Sequence, residues 1–211
     1  MLLIAFHIAV IAGIILLTQY LWARKQLRGE AARKFAHMAI GSFVATWTLY
    51  ASYDVIQATL LLTLFGVLFV RVTNVAPSLS DVKRSTVGDV LAPVVILLVA
   101  LLEPTRTVFS VVVLHIALAD GLAALIGSRF GHKRSYNIAR QKKSLLGTLT
   151  FFVVSVCIMA IAVLFQPAVD ASLLIMYLLV VPFVTTIFEN ISPYGLDNVT
   201  VPLAVFVLLS V

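Results

Sequence analysis

Residues 107–134 read TVFSVVVLHIALADGLAALIGSRFGHKR, an apolar run that passes directly into a basic segment. The apolar part, 107–127, is long enough to cross a bilayer, because an α-helix needs about 20 residues to span the hydrocarbon core. It contains one carboxylate, Asp120, towards the end that precedes the basic segment. This stretch therefore predicts a transmembrane helix with a charged group inside it and a cluster of cations at one end.

Seven other apolar segments of similar composition lie near 2–22, 35–53, 55–72, 90–103, 146–166, 171–189 and 199–211. Of the whole chain, 62% is hydrophobic and only 11% is charged, whereas a soluble domain has about a quarter charged residues. The sequence predicts an all-α polytopic membrane protein with seven or eight transmembrane helices, in which residues 1–211 form a single integral membrane domain. The last segment would reach only about 20 Å as a helix, so we expect a half-span or a cut span there.

The cations are distributed unevenly over the connecting segments. If the spans alternate in direction, 14 of the 15 Lys and Arg residues fall on one side and only Arg106 falls on the other. Positive residues favour the cytoplasmic side, so we expect the N-terminus outside and a site that faces the cytoplasm. The segments that would form it are 23–41, 73–89, 118–148 and 188–202. Nucleic-acid binding is excluded because the basic residues lie against a membrane.

A first polar cluster comprises Glu30, Arg33, Lys34 and His37. Residues three, four and seven apart lie on one face of a helix. Arg33 and Lys34 could serve only as an interfacial anchor that reaches lipid phosphates. An anchor explains neither Glu30 nor the deeper His37, so Glu30 and His37 are candidates for catalysis, and Arg33 and Lys34 for binding substrate or phosphate.

A second cluster is built around Asp120. An ionisable residue inside a span is costly and indicates function by default. Asp120, Ala124, Gly127 and Gly131 share one stripe of the predicted helix, and small residues at that spacing also favour helix packing. Packing does not account for the aspartate. A carboxylate beside many cations suggests a metal-bridged phosphate site, since Mg²⁺ is usually held by one or two carboxylates plus substrate phosphates.

Two further clusters flank the next spans. The run Lys142-Lys143-Ser144-Leu-Leu-Gly147-Thr148 begins a span, and backbone N–H groups at a helix start beside lysines make an anion site. A solvated basic loop is the alternative. The segment 188–202 supplies Glu189 and Asp197 together with two amides. A plain turn would not need both carboxylates, so a functional loop is favoured.

Together, the last three clusters resemble the CTP-dependent lipid alcohol kinases, the family of dolichol kinase, phytol kinase and farnesol kinase. The most specific part of the resemblance is the run Asp120-Gly…Gly127…Gly131…Lys142-Lys143-Ser144…Gly147-Thr148. Nearly as specific is Glu189…Ser192-Pro193…Gly195-Leu-Asp197-Asn198…Pro202, and the family's amino-terminal polar motif resembles Glu30…Arg33-Lys34…His37. The chain departs from the family at Leu146, where an acidic residue usually precedes the Gly-Thr pair.

The resemblance implies transfer of the γ-phosphoryl group of CTP to a membrane isoprenoid alcohol such as phytol, farnesol, geranylgeraniol or a polyprenol. The expected catalytic residues are Asp120, Asp197, Glu30 and His37. Magnesium would be bound by Asp120, Glu189 and Asp197. The expected nucleotide-binding residues are Gly127, Arg129, Gly131, Lys133, Lys142, Lys143, Ser144, Gly147, Thr148 and Asn198.

Two other functions remain open at this point. The phosphatidate cytidylyltransferases are distant relatives of these kinases and make CDP-lipids, but their His-Gly-Gly element does not follow the Lys83-Arg84 fragment here. A non-enzymatic lipid-binding or transport protein would also place charges at the ends of spans. A conduit would have polar groups that continue to the outer side, where this chain has only Asp54, Glu103, Arg106 and Asp170. The one-sided pattern favours an interfacial enzyme.

Overall fold

The computed structural model of the chain describes residues 1–80, 88–131, 134–139, 141–166 and 168–210. It is mostly helical, in agreement with the predicted class. The helices are α1 (Leu2–Ala23), α2 (Glu30–Ala45), α3 (Tyr53–Thr73), α4 (Pro77–Ser80), α5 (Gly88–Leu101), α6 (Arg106–Leu114), α7 (Asp120–Phe130), α8 (Leu145–Val163), α9 (Ala171–Ile175), α10 (Val181–Ile191) and α11 (Asp197–Ser210).

Two pairs of these helices are continuous. A π-helical stretch, His115–Ala119, joins α6 to α7, and a second one, Met176–Val180, joins α9 to α10. With these joints counted, the described residues contain five helices long and apolar enough to cross a membrane, as expected of an integral membrane protein. They are α1, α3, the α6–α7 helix, α8 and the α9–α10 helix.

The other three predicted spans correspond to shorter helices. The predicted span 35–53 is formed by α2, of 16 residues, and a 3₁₀ turn at Trp47–Leu49. The predicted spans 90–103 and 199–211 correspond to α5 and α11, which have 14 residues each. A helix of that length covers about 21 Å. The count of seven or eight spans and the outward N-terminus therefore stay predictions.

If α6–α7 and α9–α10 are each counted as one helix and the short α4 is left aside, successive helices run in opposite directions, so alternate connections lie at the same end of the bundle. We call the end of the bundle where α1, α3, α7 and α10 finish and α2, α5, α8 and α11 begin the basic end. The antiparallel packing of α2 on the α6–α7 helix is close. A Cβ added to Gly41 would overlap the Cβ of Ala117, and one added to Gly121 would overlap Met38. These glycines let the two backbones approach closely, so that polar side chains of α2 and α7 can meet.

The middle of the bundle holds a polar network that links three long helices. The Nδ1–H of His115 donates to the carbonyl of Val111 at 2.8 Å, and its Nε2 lies 2.7 Å from the hydroxyl of Ser155. Ser155 in turn lies 3.4 Å from the hydroxyl of Thr185. All three side chains are buried. Hydrogen bonds between helices satisfy polar groups that have no water available in an apolar interior.

One element was not predicted. A β-hairpin of strands β1 (Ser135–Ile138) and β2 (Gln141–Ser144) connects α7 to α8, where the sequence indicated only a basic loop. Its strands are antiparallel, with Tyr136 opposite Lys143. Ser144 then caps α8, because its Oγ accepts from the backbone N–H of Gly147 at 3.0 Å. The predicted start of a helix within the run 142–148 is confirmed, and its N-cap is Ser144.

Candidate functional site

A buried ion pair joins α2 to the start of α7. The ammonium group of Lys34 contacts the carboxylate of Asp120, and their side chains are only 6% and 14% exposed. These residues are 86 positions apart in the chain. From the sequence, Lys34 was predicted to bind phosphate and Asp120 to bind a metal ion, and the two residues were placed in separate clusters. The structure shows that the two clusters meet.

His37 lies one turn further along α2. Its Nε2 is 2.9 Å from the carbonyl of Ile116 and 3.9 Å from the nearer carboxylate oxygen of Asp120. A carbonyl only accepts, so the proton of a neutral His37 is on Nε2 and its Nδ1 is an acceptor. Ile116 belongs to the π-helical stretch, and such stretches are frequent at functional sites. His37 therefore lies on the same face of α2 as Lys34, as its helical spacing predicted, and this face meets Asp120.

Glu30 and Arg33 also pair with each other. The guanidinium of Arg33 donates to both carboxylate oxygens of Glu30, at 2.6 and 3.2 Å. Arg33 is well buried, whereas the side chain of Glu30 is 36% exposed. The pair lies at the first turn of α2, at the basic end. The predicted shared helix face is confirmed, and the roles of Glu30 as a catalytic group and Arg33 as a substrate ligand stay predictions.

A second buried ion pair joins the hairpin to α10. The ammonium group of Lys143 contacts the carboxylate of Glu189 and donates to its backbone carbonyl at 2.9 Å. The side chains of Lys143 and Glu189 are 15% and 8% exposed. Residues adjacent in a strand point to opposite faces, so Lys142 is exposed on the other face of β2. Both lysines were predicted to bind nucleotide, but only Lys143 points towards Glu189.

The start of α11 brings the last acidic residue to the same place. The carboxylate of Asp197 accepts from the backbone N–H of Asn198 at 3.0 Å, and Asp197 lies outside the five long helices. Burial, followed by the negative charge of Asp120, raises the pKa of the Asp197 carboxyl, and the positive charges of Lys143 and Lys34 oppose the rise. Asp197 is thus within electrostatic reach of both the Lys34–Asp120 pair and the Lys143–Glu189 pair.

The glycines of the predicted nucleotide motif lie where α7 packs on the start of α8. A Cβ at Gly127 would lie 2.8 Å from the Oγ of Ser144, and one at Gly147 would lie 3.1 Å from the carbonyl of Ala123. A Cβ at Gly131 would overlap the side chain of Ser144. Close helix packing thus explains why these positions are glycine. Contact of the glycines and Ser144 with a nucleotide stays a prediction.

Sequence reasoning missed an uncharged cluster beside the Lys143–Glu189 pair. The side-chain oxygen of Asn190 accepts hydrogen bonds from the hydroxyls of Tyr136 and Thr148, the latter at 3.0 Å. We call Tyr136, Thr148 and Asn190 the Asn190 cluster. The available signal in the sequence was the alternation of polar and apolar residues over Ser135-Tyr136-Asn137-Ile138. It was weak because the sequence between these residues and Gln141 contains no glycine or asparagine, which usually mark a hairpin.

Other predicted positions do not join these groups. Arg129 is exposed at the end of α7, with its guanidinium 5.3 Å from the ring centre of Phe130. Asp89, in segment 73–89, forms a 2.8 Å ion pair on the surface with Arg71, which lies just before that segment. Lys133 and residues 81–87 lie outside the described residues. Their predicted contributions are untested.

The described residues of the basic end include oxygen atoms that could bind a metal ion, but they do not form a complete set of metal ligands. Among the described residues, no group of three or more His, Cys, Asp or Glu side chains is arranged to hold a metal ion. In that part of the chain, Glu189 Oε2 and Asn198 Oδ1 are buried without a hydrogen-bond partner. Two unpaired oxygens fit Mg²⁺, which needs only one or two carboxylates when phosphate oxygens complete its shell. Metal binding by Asp120, Glu189 and Asp197 stays a prediction.

Comparison with known proteins gives one informative similarity. The chain is 29% identical over 197 residues to a curated protein named phytol kinase from Synechocystis sp. (strain ATCC 27184 / PCC 6803 / Kazusa). The match covers 90% of this chain and 83% of that protein. No family model matches the chain, and no solved structure matches it significantly. The similarity thus covers most of both proteins.

Proposed function

We propose that this protein is a CTP-dependent kinase of membrane isoprenoid alcohols, with phytol as the first candidate substrate, and that its site faces the cytoplasm. The similarity to a phytol kinase supports a kinase that acts on a lipid alcohol. The choice of CTP and the cytoplasmic face come from the family resemblance and from the charge distribution of the sequence. Farnesol, geranylgeraniol and a polyprenol are the other candidate acceptors.

The observation that carries this proposal is the pair of buried ion pairs at one end of an apolar bundle. Lys34–Asp120 and Lys143–Glu189 place two cations and two carboxylates beside Asp197. Phosphoryl transfer needs positioning and neutralisation of charge more than covalent chemistry by the protein. A nucleotide triphosphate and its metal carry both signs of charge, and this site carries the complementary groups of both signs.

The two lysines would bind phosphate oxygens of CTP. In the structure each lysine is paired with a carboxylate. A bound triphosphate would compete for Lys34 and Lys143, which would leave Asp120 and Glu189 free to hold Mg²⁺. The backbone N–H groups at the start of α8 add partial positive charge, as helix N-termini do for anions. Magnesium, when bound, would draw negative charge from the phosphates. Asp120, Glu189, Asp197 and the amide oxygen of Asn198 supply its candidate ligands.

The acceptor hydroxyl requires a group that takes its proton. We propose Asp197, because in the described part of the chain it has no ion-pair partner, whereas Glu30 is paired with Arg33. His37 is the second candidate through Nδ1. As the new bond forms between the hydroxyl oxygen and the γ-phosphorus, the bond from that phosphorus to the bridging oxygen breaks. The proton passes to Asp197, and CDP leaves with the electron pair of the broken bond.

The apolar tail of the acceptor would lie against the helices, with its hydroxyl at the basic end. Several of the long helices present exposed leucine and phenylalanine side chains, for example Phe65, Phe69 and Phe183. Such surfaces suit either bulk lipid or the tail of a substrate. The nature of the alcohol is therefore proposed from the similarity to a phytol kinase and not from these surfaces.

The test is phosphate transfer by the purified full-length protein in detergent. CTP and ATP labelled at the γ-phosphate are each offered with phytol, farnesol, geranylgeraniol, a polyprenol or diacylglycerol, with and without Mg²⁺. We expect labelled phytyl phosphate from CTP and Mg²⁺. An Asp120→Asn variant, purified in the same way, controls for a contaminating kinase.

Absence of any labelled lipid would overturn the proposal. CTP would then be offered with phosphatidate, because formation of a CDP-lipid would identify a cytidylyltransferase-like enzyme instead. Transfer from ATP but not from CTP would retain the lipid alcohol kinase and overturn the proposed donor. Label in diacylglycerol alone would overturn the proposed class of acceptor.

A further inference from the structure

Side chains on the inner face of the hairpin donate hydrogen bonds to backbone carbonyls at the end of α10. The last carbonyls of an α-helix have no partner within the helix. Here Lys143 donates to the carbonyl of Glu189 at 2.9 Å, and the side-chain amide of Gln141 donates to the carbonyl of Ser192 at 2.8 Å. Two alternate residues of β2 therefore cap α10 from outside. The position of Lys143 depends on how the hairpin docks.

The Asn190 cluster holds this docking in place from the other strand. Tyr136 lies directly opposite Lys143 in the ladder, so their side chains point to the same face. The hydroxyl of Tyr136 donates to the Asn190 oxygen, which also accepts from Thr148. The Asn190 amide group donates to the carbonyl of Thr186 at 2.9 Å. One amide thus connects the hairpin, the start of α8 and α10.

We propose that Tyr136 is a positioning residue that fixes Lys143 for binding the triphosphate, an inference that rests on the proposed function. A lysine side chain has several rotatable bonds, and fixing it costs conformational entropy. Tyr136 lies directly opposite Lys143 in the ladder, and its hydroxyl donates a hydrogen bond to Asn190, the residue next to Glu189. The hydroxyl acts through the backbone of the hairpin and α10, and it does not itself contact the phosphates.

The first test is the Tyr136→Phe variant, which keeps the ring and removes one hydroxyl. We expect its KM for CTP to rise about three- to tenfold, the size of one hydrogen bond, with kcat nearly unchanged. A rise in KM alone indicates loss of binding that is equal in ground and transition states. Tyr177→Phe is the matched control, because its hydroxyl accepts a 3.0 Å bond from Gln166 near the opposite end of the bundle.

The second test measures Lys143 without using activity. The purified proteins, without nucleotide, are treated briefly with an amine-acylating reagent, and the modified peptides are quantified by mass spectrometry. Exposed Lys142 is the internal reference on the opposite face of the same strand. We expect the Lys143 to Lys142 ratio to rise at least about twofold in Tyr136→Phe, as loss of one hydrogen bond loosens the docking. It should stay unchanged in Tyr177→Phe.

An unchanged lysine ratio in Tyr136→Phe would overturn the positioning role. An equal fall of kcat in both tyrosine variants, with KM unchanged, would also overturn it, because that pattern reports a general loss of structure. If the wild-type protein transfers phosphate to no alcohol, the proposed function fails. The lysine ratio would still decide whether Tyr136 controls Lys143.

Discussion

The two lysine–carboxylate pairs of the basic end are chemically alike but held in different ways. Lys34 and Asp120 lie on two helices whose backbones approach closely at Gly41 and Ala117. Lys143 lies on a hairpin and meets Glu189 at a helix end, with neighbouring hydrogen bonds to hold it. The first pair is fixed by packing of apolar surfaces, and the second by polar contacts. Substitutions should therefore affect them differently.

The largest effect is expected from Asp120→Asn. Loss of the carboxylate should reduce CTP-dependent transfer at least about 100-fold, or about 2.7 kcal/mol of transition-state stabilisation. It also leaves Lys34 buried without a counter-charge, which costs about 3–5 kcal/mol of stability. Initial rates per folded protein and thermal unfolding in detergent measure the two effects. The double variant Lys34→Met with Asp120→Leu should recover most of the stability and none of the activity.

A residual activity above about a tenth of wild type in Asp120→Asn, less than about 1.4 kcal/mol of barrier, would exclude an essential role for this carboxylate. Failure of the double variant to regain stability would show instead that the ion pair is a net stabiliser of the α2 packing.

The second prediction compares neighbouring lysines. Lys143→Met should raise the KM for CTP about 10-fold or more, because a charge-assisted contact contributes about 1.5–3 kcal/mol. Lys142→Met, on the exposed face of the same strand, should change stability by less than about 0.5 kcal/mol and leave KM within twofold, roughly 0.4 kcal/mol. Steady-state kinetics at varied CTP concentration provide the measurement. Equal effects of the two substitutions would refute the division of the strand into an inner and an outer face.

The third prediction concerns the packing that holds the first pair. In Gly41→Ala the added methyl group would overlap Ala117, so α2 must shift, and overpacking costs about 1–3 kcal/mol. Gly66→Ala in α3 is the matched control, since nothing lies within 4 Å of its added Cβ. It should be neutral or stabilising by up to about 1 kcal/mol. Thermal unfolding in detergent distinguishes them, and equal melting temperatures would contradict close packing at Gly41.

The smallest effect is expected at Leu146, where the resembling kinases usually have an acidic residue. Leu146 lies in the first turn of α8 and is 38% exposed. Leu146→Glu should change the rate of transfer less than about threefold, or about 0.65 kcal/mol. A gain above tenfold, measured in the same labelled-CTP assay, would show that the site lacks a carboxylate and that Asp120, Glu189 and Asp197 do not replace it.

The long helices and their shared polar end could be predicted from the sequence. Apolar length located the five long helices to within a few residues, and helical spacing placed Lys34 and His37 on one face. The meeting of Lys34 with Asp120 could not be predicted, because the rotation of two packed helices depends on close contacts such as that at Gly41. Spacing within one helix contains no information about its partner.

The hairpin was missed for a different physical reason. Its turn contains Ala139, with a positive φ of 48°, in place of a residue that favours that conformation. Without the hairpin, Lys142 and Lys143 look equivalent, and the hydroxyl of Tyr136 has no visible partner. The role of the segment from Glu189 to Asn198 as a functional loop stays a prediction. The contact of Glu189 with Lys143 could not be predicted, because it requires the strand.

The Lys34–Asp120 pair also constrains how the protein enters its membrane. Lys34 is synthesised 86 residues before Asp120, so the aspartate has no counter-charge until the α6–α7 helix reaches α2. An aspartate at the centre of a span costs about 2.5–3.5 kcal/mol during insertion, which the surrounding valine and leucine residues must offset. Helix α2 must therefore remain accessible while α3, α4 and α5 are made, and the Lys34–Asp120 pair forms only when the α6–α7 helix reaches α2.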